Sequence, residues 1–129
     1  MIYGIGTDII EVARIRLALH RHGEGFAKRV LANSEWPEYL ACAVPERFLA
    51  KRFAAKEAFA KALGLGIRKP VTWHNIHVHH DKRGKPMLNF QPELCAFLSA
   101  KGIGGYHLSI SDEKQLATAF VILEKASLC

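Results

Sequence analysis

The stretch Arg52–Gly64, RFAAKEAFAKALG, constrains this chain most, because it supports one long helix and little else. Strong helix formers fill it, and Phe53, Ala60 and Leu63 recur at helical spacing. Pro45 is placed to open the helix and Gly64 to cap it, so a helix is expected over roughly residues 46–63. Arg52, Lys56, Glu57 and Lys61 put charge around the rest of its circumference. Alanines at 54, 55, 58, 60 and 62 keep the flanking surface low, a clearance in which a substrate could approach the backbone. Glu57 and Lys61 lie one turn apart and project over one patch. One reading is a surface ion pair worth about 0.2–0.5 kcal/mol. The other is a carboxylate and an ammonium that both face a metal ion and a phosphate.

The segments on either side set the fold class. Residues 2–10, IYGIGTDII, read as a strand, with Asp8 interrupting an apolar run. A carboxylate there needs a partner, or else caps the following helix. Residues 11–22 have helical periodicity, with Val12, Ile15 and Leu19 apolar and Arg14, Arg16 and Arg21 facing outward; Gly23 and Gly25 end the pattern. Phe26–Ala32 adds Lys28 and Arg29. Asn33 or Ser34 caps a short helix over SEWPEYLACA that tolerates Pro37 in its first turn. After a loop through Gly64, Gly66, Lys69 and Pro70, residues 73–90 read as a hairpin turning at DKRGKP, and Pro92–Ala100 as a helix. Gly102, Gly104 and Gly105 break the chain before a last hairpin, YHLSIS and QLATAFVILE. This order is α+β with mostly antiparallel pairing, in one domain spanning 1–129.

Composition narrows the partners. A net charge of +6 over 129 residues predicts attraction to something acidic, and Arg14, Arg16, Arg21, Lys28 and Arg29 concentrate that charge in one region. No apolar run is long enough for a membrane span, and MIYGIGTDII has no basic leader or cleavage site. Cys42, Cys95 and Cys129 are odd in number and widely spaced, which fits reduced thiols in the cytoplasm. Phe48, Phe53 and Phe59 sit among apolar helix positions and read as core, which argues against a nucleic-acid-binding module. GIG at 4–6 lacks the context of a dinucleotide fingerprint; its glycines fit close packing of the long helix, or close approach of a ligand. His77, His79 and His80 read as strand histidines, not as a metal centre. Asp8 and Glu57 remain, on different elements. Magnesium suits one or two protein carboxylates plus substrate phosphate oxygens, with Lys61 left to balance phosphate charge.

GIGTDIIEVARI, followed some forty residues later by RFAAKEAFAKALG, closely resembles the holo-[acyl-carrier-protein] synthase group of 4′-phosphopantetheinyl transferases. The likeness continues through GIRKPVTWHNIHV, GKP and HLSISDEKQLATAFVILE, so it covers nearly the whole chain. The resemblance implies the family's fold, a mostly antiparallel sheet packed against a long central helix and assembled as a homotrimer. It also implies transfer of the 4′-phosphopantetheine arm of coenzyme A to a serine of acyl carrier protein, serving fatty acid biosynthesis. Residue by residue, it makes Asp8 and Glu57 magnesium ligands, Lys61 a phosphate contact, and Glu57 the base for the serine, directly or through a water. Arg52, Gly64, Pro86, His107 and Ser109 fall at coenzyme A positions, and Arg14, Arg21 and Arg29 on the carrier-protein surface. The resemblance divides each site between neighbouring chains. One departure is Asp112, which stands where many family members have a histidine. A protein that holds coenzyme A without turnover is the remaining rival.

Overall fold

In the computed structural model, which describes residues 1–127, the chain runs β1 (Ile2–Glu11), α1 (Val12–His22), α2 (Glu24–Val30), α3 (Trp36–Ala41), α4 (Pro45–Leu63), β2 (Ile76–His80), β3 (Pro86–Phe90), α5 (Pro92–Ala100), β4 (Ile103–Asp112) and β5 (Leu116–Lys125). Cys129 lies outside the described residues, and Cys42 and Cys95 are free thiols. The fold is α+β, in the expected order. One sheet has strand order β1-β5-β4, a second pairs β2 with β3, and every pairing is antiparallel.

Helix α4 is buried nearly all the way round, with Leu49, Ala54, Ala58, Phe59 and Leu63 in the core. Pro45 occupies its first turn, and Gly64 closes it in the left-handed conformation (φ 76°). The alanines do not hold a channel open for substrate: Ala54, Ala55, Ala58, Ala60 and Ala62 are all buried. The backbone that approaches there is β1. A Cβ built on Gly4 would stand 2.1 Å from the Ala62 carbonyl oxygen, and one on Gly6 would stand 2.0 Å from that of Ala58. Glycine in β1 and alanine in α4 are two sides of one contact.

The large sheet has two unlike faces. Ala117, Ala119, Val121 and Leu123 of β5, with Gly6 and Ile10 of β1, turn inward onto α4. The outward face lines up Ile5, Ile122 and His107 across the three strands, then Thr7, Phe120 and Ser109. Ile5 (58 %), Ile9 (62 %) and Phe120 (44 %) are exposed there, an unusual arrangement for bulky apolar side chains on one sheet face.

Local differences from the expected elements have physical causes. Gly25 lies inside α2, and the break falls at Gly23 alone. The 34–43 segment begins as a 3₁₀ turn at Asn33–Glu35 before α3. The first hairpin starts at Ile76, because Thr72 accepts a hydrogen bond from the Asn75 amide (3.2 Å) and closes Trp73–Asn75 into another such turn. β4 begins at Ile103 and absorbs Gly104 and Gly105 through a register shift against β5. A side chain at 104 would collide with Ala126.

Candidate active site

Strand β1 and helix α4 cross where Gly4 and Gly6 let them touch, and this crossing brings Asp8, Glu57 and Lys61 together. The Lys61 ammonium donates to Asp8 Oδ1 (3.0 Å) and to the Thr7 carbonyl (3.1 Å). Asp8 thus finds its partner across the fold and caps no helix; α1 has no side-chain cap. Lys61 does not pair with Glu57, the neighbour one turn away. Burial pushes the Glu57 carboxyl above the ordinary range and the nearby Asp8 carboxylate pushes it further, with Lys61 only partly opposing. Two carboxylates that repel each other beside a half-exposed ammonium form a hard-oxygen donor set able to hold a cation. That suits magnesium, with phosphate oxygens completing the shell. Gly64, one residue past the helix end, lies on the Lys61 side of this centre and is exposed.

Arg52 and Lys56 are not on the solvent side of α4, contrary to the expectation from charge alone. Arg52 is 2 % exposed and Lys56 0 %, and both meet Glu35 (1 %). Lys56 donates to Glu35 Oε1 (2.6 Å) and to the carbonyls of Val30 (2.7 Å) and Trp73 (2.8 Å). Glu35 also accepts from Arg52 (3.0 Å) and from the backbone amides of Ala32 (2.8 Å) and Val78 (3.1 Å). Burial lowers the Lys56 pKa to about 8 even with Glu35 opposing. Burial would raise Glu35, but the Lys56 charge and four hydrogen bonds hold it below the ordinary range. Sequence reasoning passed over this network. A signal was present: Leu49, Arg52, Lys56, Phe59 and Leu63 follow 3-4 spacing, so both cations fall on the core stripe.

The other coenzyme A positions lie elsewhere on the chain. Arg52 and Pro86 line a cavity of about 310 Å³ with Phe48, Lys51, His80 and Asp112. His107 and Ser109 stand exposed on the outward face of the large sheet, where the His107 ring contacts Glu124. Asp8 sits on β1 positions alternate with the outward ones, so one chain does not bring His107 and Ser109 to its own Asp8–Glu57–Lys61 centre. Arg14 and Arg21 on α1 and Arg29 on α2 are exposed, and no described carboxylate lies within ion-pair reach of them; their neighbour Arg16 is paired with Glu46 at 3.7 Å. Among the described residues no cluster of three or more metal-ligating side chains forms, and His77 instead contacts Ser34 Oγ (3.2 Å) and the His74 carbonyl (3.2 Å).

Residues 4–119 match the family model for the 4′-phosphopantetheinyl transferase superfamily. The chain belongs to this superfamily. Within it, the chain is 58 % identical over 125 residues to a holo-[acyl-carrier-protein] synthase of Nitrosomonas europaea, covering 97 % of this chain and 100 % of that protein. The crystal structure of a holo-[acyl-carrier-protein] synthase from Neisseria meningitidis superposes with a TM-score of 0.95 at 48 % identity, over 97 % of this chain and 100 % of that one. A synthase from Bacillus anthracis, solved in complex with coenzyme A (3′,5′-ADP), gives a TM-score of 0.82 at 40 % identity, over 98 % of this chain and 99 % of that one. The chain is thus a phosphopantetheinyl transferase of the holo-[acyl-carrier-protein] synthase type, with that group's α+β fold.

Proposed function

We propose that this transferase moves the 4′-phosphopantetheine arm of coenzyme A onto a serine hydroxyl of apo acyl carrier protein, releasing adenosine 3′,5′-bisphosphate, in support of cytoplasmic fatty acid biosynthesis. The observation that carries the reading is the convergence of Asp8, Glu57 and Lys61 from two elements onto one half-exposed centre. Asp8 and Glu57 would hold magnesium, which when bound supplies Lewis-acid stabilisation of pyrophosphate charge. Lys61, already anchored on Asp8 and the Thr7 carbonyl, presents its remaining N–H to a phosphate oxygen. Glu57 is the proton acceptor for the attacking serine, directly or through a water. As the serine Oγ–P bond forms, the pyrophosphate P–O bond breaks and the adenosine bisphosphate departs. Such a loose transfer depends on positioning and charge neutralisation more than on covalent help.

The exposed cations Arg14, Arg21 and Arg29 give an acidic carrier protein its landing surface, and their attraction weakens with salt. The single 1–129 domain assembles as a homotrimer. The Asp8–Glu57 half of each site comes from one chain and the His107–Ser109 half from its neighbour, bringing Arg52, Gly64 and Pro86 to coenzyme A. The exposed Ile5, Ile9 and Phe120 on the face that bears His107 support that assembly. Nucleic acid and membranes are not partners on this reading; no described helix is long and apolar enough to cross a bilayer.

The test is to incubate the protein with apo carrier protein, coenzyme A and magnesium, and to weigh the product. A mass gain of one phosphopantetheine arm is expected, lost in Asp8→Asn and when magnesium is chelated. Coenzyme A binding with no mass gain would identify a holder of the cofactor and overturn the enzyme.

A further inference from the structure

Helix α2 is seven residues long, too short to hold its shape unaided. It also lacks caps of its own. Gly23 at its start makes no side-chain cap, and the chain leaves the helix at Leu31 in an extended conformation (ψ 134°). The Ala32 amide, which a further turn would have given to the Lys28 carbonyl, goes to Glu35 Oε1 instead (2.8 Å). The carbonyls of Lys28 and Val30 are thus left without a partner from α2 itself. Side chains from elsewhere in the fold take up both. His74 Nε2 donates to the Lys28 carbonyl (2.6 Å), and the Lys56 ammonium donates to that of Val30 (2.7 Å). Arg29 lies between these two anchored residues.

The anchors are themselves fixed. Lys56 gives its other two N–H groups to Glu35 (2.6 Å) and to the Trp73 carbonyl (2.8 Å), so one ammonium joins the end of α2 to the turn that bears His74. Trp73 stacks on Phe53 of α4 with ring centroids 5.0 Å apart, and the Asn75 side chain donates to the Pro70 carbonyl (2.8 Å). Lys56 directly precedes Glu57, so α4 fixes both the carboxylate centre and the end of α2. We propose that His74 and Lys56 are positioning residues, a cap supplied from outside the helix that holds Arg29 where an acidic carrier protein meets it. The proposal rests on the carrier-docking reading above and adds two residues that act through Arg29. Without the cap the last turn of α2 frays, and docking must order it again at a cost in affinity.

His74 carries the test, because it is exposed and its loss leaves the buried Glu35 network whole. Calorimetry measures binding of apo carrier protein and of coenzyme A, and product mass gives kcat and each KM. The variants are His74→Ala, His74→Gln, Arg29→Ala and the double variant His74→Ala with Arg29→Ala. Loss of one hydrogen bond at a helix end is worth roughly threefold. His74→Ala should weaken carrier binding and raise the carrier KM by about that factor, with coenzyme A affinity and kcat close to wild type. His74→Gln, whose amide donates to the same carbonyl, should recover most of the loss. In the Arg29→Ala background His74→Ala should have little further effect, since the cap acts through Arg29. Additive losses from the two substitutions, an equal loss of coenzyme A affinity, or unchanged carrier binding in His74→Ala would overturn the proposal. A wild-type protein that binds both partners and transfers nothing would sink the transferase reading, and the binding cycle would still decide His74.

Discussion

Glu57 sits where the metal-free protein would be more stable without its charge. Burial and the Asp8 carboxylate both raise its affinity for a proton, so the folded state holds the ionised form less readily than the unfolded chain does. The sign follows. Between the ordinary carboxylate pKa and the raised one, the folded protein binds more protons, so the destabilisation grows as pH rises through that window and is complete above it. Glu57→Gln should then unfold at a higher temperature than wild type at neutral pH without magnesium, lose that advantage below the ordinary carboxylate range, and have no transferase activity. Equal melting temperatures at neutral pH would mean that the Asp8–Glu57 repulsion is relieved in solution. Lys56 is the opposite case. Lys56→Met removes one of the two cations that face buried Glu35 and should cost about 3–5 kcal/mol, because it leaves the carboxylate under-compensated in the core and takes the donor from the Val30 and Trp73 carbonyls. Thermal unfolding with and without coenzyme A checks this, and a loss under 1 kcal/mol by the usual surface-pair scale would show that Glu35 takes up a proton instead. These neighbours in sequence also show what could be read in advance. Glu57 and Lys61 were legible as candidates because the motif carries them. The burial of Lys56 and Arg52 was not legible in the helix alone, since it depends on a partner, Glu35, some twenty residues upstream.

At the scale of elements, the periodicity of α4 and the alternation of the last two strands located most of the secondary structure, because each is a repeated local pattern. The use of the alanine stretch was not local. Whether small residues on a helix clear space for a substrate or for a strand depends on what crosses them, and here the partner is the GIG of β1. This contact also sets the site, since Asp8 follows Gly6 by two residues and reaches Lys61 only at that helix–strand separation. Gly6→Ala would place a methyl 2.0 Å from the Ala58 carbonyl oxygen and 2.6 Å from the Ala62 amide nitrogen, both rigid helix backbone. β1 must move away, at a cost of about 3 kcal/mol. Magnesium-dependent activity should fall even at temperatures where the variant stays folded. A Gly6→Ala protein with wild-type stability and activity would show that β1 and α4 have slack at the crossing.

On the scale of the whole molecule, the residues assigned to one reaction lie on two faces of one chain. Asp8, Glu57 and Lys61 gather on the α4 side of β1, whereas His107 and Ser109 point out from the opposite face of the same sheet. Nothing in the periodicity of the sequence distinguishes that outward face from an ordinary solvated one, except that Ile5, Ile9 and Phe120 lie on it. In the homotrimer proposed above, a closed ring of chains would use both faces at once, each centre receiving its second half from a neighbour. The consequence is quantitative. Asp8→Asn destroys the metal half of a site, and His107→Glu places a carboxylate in the half that receives coenzyme A. Each variant alone should be inactive as a homotrimer. When the two are co-expressed in equal amounts, random assembly pairs an intact metal half with an intact partner half at about one interface in four. Activity per chain should therefore recover to roughly a quarter of wild type in the unfractionated mixture and to about a third in purified mixed trimers. A mixture that stays as inactive as its parents would place the whole site within one chain.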